Sequence, residues 1–418
     1  MEKKASSLYI HFPFCNSICP YCDFVKFIKN DKFISNYLEQ LNNDLDQLIE
    51  AKSKFKTIYI GGGTPSILGY ENLSDLLFKV NKLASPNCEF TIEANPESLD
   101  KEKLIIMEEN GVNRISIGLQ SFNKEVLKFI NRDYNVNYFE LINLVKHYIP
   151  NINIDLIFGF PIQTEEDLKN DLENFIKLDV DHISIYALTI YQNTTFRVRN
   201  IQAQDETASA ESYEYIVSFL KEHGYERYEV SNFARNKKYS KHNLTYWHNE
   251  QYVGLGVGAS GYEGDIRYTN SGNLTLYLNG HRKREEEILS KQDEMEYHLI
   301  CNLRLEKGFY IKDFNERFET DIFEEFPVLQ NLINRKLLFL SRGRLYAGKN
   351  LIILDFILDK FISGSKENLQ KLKEEKNSKK KNKSSQSVTP PIEEIKYDFE
   401  EEENEEEEEF IGEGDGEL

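Results

Sequence analysis

No stretch of the chain runs to the ~18 uninterrupted apolar residues of a membrane-spanning helix, so no integral membrane segment is expected. An apolar h-region is missing too: Met1-Glu2-Lys3-Lys4 passes through Ala5-Ser6-Ser7 straight into Leu8-Tyr9-Ile10. No secretory signal is therefore expected, and a cytoplasmic location is. Cysteine is scarce, with five in 418 residues. In a reducing compartment they are not a disulfide framework. Excess base is also lacking. The formal net charge is −19, which does not favour nucleic acid as a partner.

That charge is unevenly spread. Residues 393–418 hold fifteen acids and one lysine, a net −14, and residues 364–392 hold eight lysines and three acids, a net +5. The body up to residue 363 is left at −10. Runs such as Glu400–Glu403 and Glu405–Glu409 are too polar to pack, so 363–418 reads as a disordered tail, Lys-rich and then Glu-rich.

The first 200 residues alternate β-rich runs with helical patterns. Strands are expected at Leu8–His11, Thr57–Ile60, Glu89–Ala94, Arg114–Leu119, Ile152–Phe158 and His182–Leu188. Helices are expected at Phe33–Ala51, Ser74–Leu83, Asp100–Asn110, Lys124–Phe129, Tyr138–Tyr148 and Glu165–Leu178. Six βα repeats imply a parallel sheet, and they are too few for a closed eight-fold barrel. The α/β fold expected is a partial (β/α)6 barrel over 1–200 with its function at the C-terminal strand ends. Residues 201–290 break the rhythm, with a helix at Ala208–His223 and a long loop-rich stretch, and read as a barrel extension. Residues 291–362 read as a small α+β, winged-helix-like domain. Its helices are expected at Asp293–Cys301, Ile311–Phe318 and Glu324–Arg335, with a hairpin turning at Arg342-Gly343.

Three of the cysteines fall in one string, Cys15-Asn16-Ser17-Ile18-Cys19-Pro20-Tyr21-Cys22. Spacings of four and three let one loop wrap three thiolates round a compact inorganic centre. Structural zinc wants four ligands, and Cys88 and Cys301 are isolated, although His11 could complete a zinc site by spacing alone. An iron–sulfur cube is normally held by four cysteines. Three would leave one iron open to a small-molecule ligand. Other chemistry-bearing residues gather at strand ends. Gly61-Gly62-Gly63-Thr64-Pro65 would let backbone approach a ligand or simply turn tightly. Glu93 and Gln120 end the next strands, and Asp155 interrupts an apolar one, where an unpaired acid is costly.

The CxxxCxxC loop after the first strand resembles the radical S-adenosylmethionine (SAM) superfamily. Tyr9-Ile10-His11-Phe12-Pro13-Phe14-Cys15 is similar to its coproporphyrinogen-dehydrogenase branch. The resemblance runs from about residue 8 to about 350. It implies a [4Fe-4S] cluster on Cys15, Cys19 and Cys22, with the open iron chelated by the amine and carboxylate of SAM. It further implies SAM contacts from Tyr9, Gly62, Gly63, Thr64, Glu93, Gln120, Arg132 and Asp155.

Within that branch the decarboxylating enzymes carry a fourth cysteine two residues after the third, where this sequence has Phe24, and they have an extension before the motif. Ser240-Lys241-His242-Asn243-Leu244-Thr245-Tyr246-Trp247 resembles the HNxxYW string of the haem-chaperone subgroup, HemW. The resemblance implies haem as cargo, an unidentified haem-acceptor protein, and an electron donor such as a flavodoxin or ferredoxin. His242 is the candidate haem ligand, with His248 a nearby rival. Tyr134 and Tyr191 depart from the family pattern, where relatives carry His and an acid. Two other readings stay open at this point. One is an oxygen-independent coproporphyrinogen III dehydrogenase, which would make the chain an enzyme. The other is a cluster-stabilised binding module without catalysis.

Overall fold

The computed structural model describes residues 5–363. All but the first residue of the tail expected over 363–418 lies outside them. Six parallel strands form the centre: β1 (Ser7–Phe12), β2 (Phe55–Gly62), β3 (Ala84–Ala94), β4 (Arg114–Gln120), β5 (Ile152–Phe158) and β6 (His182–Ala187), neighbours in chain order. The connecting helices are α1 (Asp31–Glu50), α2 (Tyr70–Asn81), α3 (Lys101–Glu109), α4 (Lys124–Phe129), α5 (Tyr138–Tyr148) and α6 (Glu165–Lys177). Side-chain caps fix several starts. Asn30 accepts from the Phe33 amide, and Thr164 with Asp167 closes a capping box. This is the expected partial (β/α)6 architecture.

Sheets of parallel strands buried on both faces are normally apolar throughout. Here they alternate. Leu8, Ile10, Ile58, Ile60, Phe90, Ile92, Ile115, Ile117, Ile154 and Leu156 are fully buried in the main core. The residues between them are polar and bond to one another inside the barrel. Asn153 donates to Ser116 Oγ and Asp155 Oδ1, Ser184 donates to Asn153 Oδ1, and Tyr59 donates to Glu93 Oε1. Strand register thus sends the apolar set to the helices and the polar set to the lumen.

The stretch 201–290, expected to be loop-rich after its helix, contains more strand than that. β7 (Glu226–Arg227) and β8 (Asn232–Ala234) extend the sheet antiparallel beyond β6. β9 (Tyr252–Leu255) adds a seventh parallel strand outside β1, and β10 (Ser260–Glu263), β11 (Ile266–Asn270) and β12 (Arg284–Ile288) continue from it antiparallel. The order is β12-β11-β10-β9-β1-β2-β3-β4-β5-β6-β8-β7. Three further helices matter here: α7 (Thr195–Val198), α8 (Glu206–Glu222) and α9 (Lys241–Trp247).

Residues from Met295 to Phe361 build a second hydrophobic core beside a three-stranded antiparallel sheet of Phe309–Tyr310, Arg344–Tyr346 and Phe339–Ser341. Arg342 and Gly343 both take positive φ in the hairpin turn, as a two-residue loop requires. The helix expected over Glu324–Arg335 is two, Ile322–Glu325 and Val328–Asn334, because Pro327 drives Phe326 out of the helical region. This small domain is stitched to the barrel edge. The Val230 amide donates to Arg304 O, the Glu306 amide donates to Tyr228 O, and Arg227 pairs with Glu306 at 2.6 Å.

Candidate functional site

The cysteine loop leaves β1 and is held at the C-terminal strand ends from several sides. Phe14–Cys15 pairs in parallel with Phe27–Ile28. The Gly63 amide donates to Phe12 O at 2.7 Å and the Thr64 amide to Phe14 O at 2.8 Å. Lys26 Nζ donates to Cys22 O, and the Phe196 amide at the start of α7 donates to Pro20 O at 2.9 Å. The thiols themselves have polar neighbours. Thr64 Oγ1 donates to Cys15 Sγ at 3.7 Å and Arg132 Nε to Cys19 Sγ at 3.1 Å. Burial pushes the Cys22 thiol up to about 11, against the nearby Lys26 charge, and it raises Cys15 as well.

His11 is not a fourth ligand. Its Nε2 bonds Val25 O at 2.7 Å and its Nδ1 bonds the Tyr9 hydroxyl at 2.9 Å. Among the described residues no three His, Cys, Asp or Glu side chains close on a single-ion position. The fourth ligand that spacing alone offered to zinc is thus engaged within the protein.

The glycine run seats the loop. Gly62 takes φ +103, and a Cβ there would lie 2.3 Å from the His11 ring. Its amide donates to Glu93 Oε2 at 2.9 Å, and Tyr59 donates to Glu93 Oε1 at 2.7 Å. Burial pushes Glu93 up to about 7 despite these two bonds. The Gly62, Gly63 and Thr64 amides are thus spent on the protein itself.

Arg132 gathers the next strand ends. Its Nη1 donates to Asn95 Oδ1 at 2.7 Å and to Gly118 O at 3.1 Å, while Asn95 Nδ2 donates to Thr64 Oγ1 at 3.1 Å. Gln120 sits beside it, buried at φ +67. Two buried acceptors here have no protein partner, Gln120 Oε1 and Glu97 Oε2. Asp155, raised by burial, accepts from Asn153 and Ser116 in the lumen. The structure therefore brings Cys15, Cys19, Thr64, Arg132 and Gln120 together, with Glu93 on the adjoining strand end. Tyr9 and Asp155 lie in the lumen.

His242 is elsewhere. It lies in α9, which closes the opposite, N-terminal end of the barrel, where the Glu89 carboxylate accepts from the Lys241 and His242 amides at the helix start. His242 is 1% exposed. Its Nδ1 bonds Thr57 Oγ1 at 2.8 Å, its Nε2 bonds the Tyr246 hydroxyl at 2.8 Å, and its ring stacks on Tyr59. Burial, with the Arg114 charge adding to it, lowers its pKa to about 3. Thr57 lies five residues before Gly62 on β2, about 16 Å along a strand. Both ring nitrogens of His242, the candidate haem ligand, are thus hydrogen-bonded within the protein, and the ring packs at the barrel floor.

Residues 9–197 match the radical SAM superfamily and residues 289–349 the HemN C-terminal domain. The heme chaperone HemW of Lactococcus lactis is 39% identical over 376 residues, covering 87% of this chain and 98% of the relative. HemW of Bacillus subtilis is 36% identical, covering 81% and 94%. The chain belongs to the HemW family. Its fold is also that of the HemN coproporphyrinogen III oxidase of Escherichia coli, with a TM-score of 0.75 at 22% identity over 86% of this chain and 90% of that one.

Radical SAM membership brings a [4Fe-4S] cluster and SAM, and the residues present fit both: three thiols share one loop, and two unsatisfied buried acceptors lie beside them. Some of the HemW site was missed from sequence. Asn95, Glu97 and Lys26 were not singled out above, and the Asn95-Pro96 turn closing β3 was the available signal.

Proposed function

We propose that this chain binds haem and passes it to an acceptor protein, with a [4Fe-4S] cluster on Cys15, Cys19 and Cys22 and with SAM beside it. The observation that carries this reading is the 39% identity spanning 98% of a heme chaperone. Phe24 supports it, standing 60% exposed where the decarboxylating branch carries a fourth cysteine. When bound, the cluster supplies an open iron position for the amine and carboxylate of SAM.

The chain's own residues do the positioning. Thr64 and Arg132 hold two of the thiols by hydrogen bonds. Gln120 Oε1 and Glu97 Oε2 are acceptors suited to an ammonium group, and Arg132 is a donor suited to a carboxylate. Glu93, near neutrality in its buried setting, keeps the Gly62 turn in place and can hold a proton close to pH 7. We assign Tyr9, Gly62, Gly63, Thr64, Glu93, Gln120, Arg132 and Asp155 to the SAM environment on these grounds. Gly62, Gly63 and Thr64 act by shaping the loop.

The same proposal includes a division into barrel (1–200), extension (201–290) and small domain (291–362), a cytoplasmic setting, and a flavodoxin- or ferredoxin-like electron donor. Among the described residues no helix is long and apolar enough to cross a membrane. The test is anaerobic reconstitution with iron and sulfide, then haem titration by absorption and transfer to an added apo-haemoprotein. Haem uptake followed by transfer supports the reading. A chain that takes up no haem contradicts it.

A further inference from the structure

A cleft of about 170 Å³ lies between the barrel and the small domain, walled by Phe158, Ile185, Tyr213 and Leu354 and carrying two charged side chains, Arg304 and Asp355. Arg304 is well anchored. Its carbonyl accepts from the Val230 amide, its own amide donates to Cys301 O, and its guanidinium lies 5.7 Å over the ring of Trp247. Its ion-pair partner among the described residues is not, and the buried Glu229 carboxylate also lies in its field. Arg304 Nη2 donates to Asp355 Oδ1 at 3.1 Å, and the Asp355 side chain is 86% exposed. Such a solvated ion pair contributes little and exchanges readily for another carboxylate.

The Asp355 side of the cleft lies toward the cysteine loop, while Arg304 also reaches Trp247 at the end of α9. Tyr191, 47% exposed, lies in the field of both Asp23, next to Cys22, and Asp355. Asn193 Nδ2 also reaches Asp23 O at 3.5 Å. Phe158 and Ile185 belong to the C-terminal parts of β5 and β6, the end of the barrel that carries the loop. In size the cleft holds about five or six water-sized groups. That suits a carboxyethyl arm and falls well short of a tetrapyrrole.

We propose that Arg304 is a cargo-recognition residue: it takes one propionate of haem in this cleft in exchange for Asp355, while the macrocycle stays outside. This rests on the haem reading above and adds the group by which the cargo is recognised. A cleft whose lining mixes apolar side chains with Ser209, Ser231 and a guanidinium matches a short aliphatic arm that carries a carboxylate.

The experiment compares haem with haem dimethyl ester, in which both carboxylates are capped, by absorption titration of the full chain. Wild type is expected to bind haem more tightly than the ester, on the order of tenfold. Arg304→Ala should bind the two alike, at the wild-type affinity for the ester, with an unchanged thermal melt. Arg304→Lys should keep part of the preference. Asp355→Asn, at an exposed position where folding is not at risk, should tighten haem and leave the ester unchanged. A wild type that binds both compounds equally overturns the inference alone, as does an Arg304→Ala chain that still prefers haem. A wild type that takes up neither compound overturns the haem reading, and this inference with it.

Discussion

Arg132 Nε lies 3.1 Å from Cys19 Sγ, while the Nη1 of the same guanidinium holds Asn95 Oδ1 at 2.7 Å. One side chain from the segment after α4 therefore ties the cysteine loop to the ends of β3 and β4. Charge-assisted hydrogen bonds of this kind fix orientation as well as adding energy. Arg132→Met should leave three thiols able to bind iron but weaken SAM by about tenfold or more. Iron and sulfide content per chain, set against the SAM-induced change in the spectrum of the reduced cluster, separates the two effects. Equal loss of both would show that Arg132 only supports the loop.

Gly118 tests the same junction from the backbone. A Cβ there would fall 2.8 Å from Gln120 Nε2 and 3.0 Å from Arg132 Nη1. Gly118→Ala must displace both side chains. It should lower stability by about 1–2 kcal/mol and weaken SAM binding. Urea unfolding and SAM titration of the reconstituted chain check this.

His242→Ala should cost about 2–4 kcal/mol, because it empties a packed site and leaves Thr57 and Tyr246 without a shared partner. Haem affinity of the folded fraction should be unchanged. Loss of the haem band at full folding would identify His242 as a ligand.

Asp171 supplies a pH test away from the cluster. It accepts from Ser121 Oγ at 2.7 Å and from the Phe122 amide, and burial pushes its pKa up to about 6. An acid raised on folding above its unfolded value of about 3.9 favours the folded state in its protonated form. Its contribution is complete below about pH 4 and is lost as the pH rises through 6. Relative to Asp171→Asn, the wild-type advantage should shrink between pH 4 and 7. A constant difference in denaturant midpoints across that range would contradict the assignment.

Much of this architecture was legible in the sequence. The six strands and their helices follow from period-2 runs and capping residues, and the three thiols from spacing alone. The edge of the sheet was not legible. Tyr252–Leu255 is four residues long among glycines, and its parallel partner β1 begins at Ser7, far away in the chain. Local patterns carry no trace of that pairing. The setting of His242 was not legible for a related reason. The HNxxYW string marks it as notable, but only the folded chain shows Thr57 and Tyr246 meeting its two nitrogens. The polar lumen was visible as an alternation along the strands, with Tyr9 and Asp155 its noticed members.

The central claim is a haem carrier built on a three-thiolate radical SAM site rather than a decarboxylating enzyme. The most direct measurement gives the anaerobically reconstituted full chain coproporphyrinogen III, SAM and a reductant, and follows the tetrapyrroles by chromatography beside a parallel haem titration. The account predicts saturable haem binding and no multiple-turnover formation of protoporphyrinogen. Sustained turnover to protoporphyrinogen would contradict it.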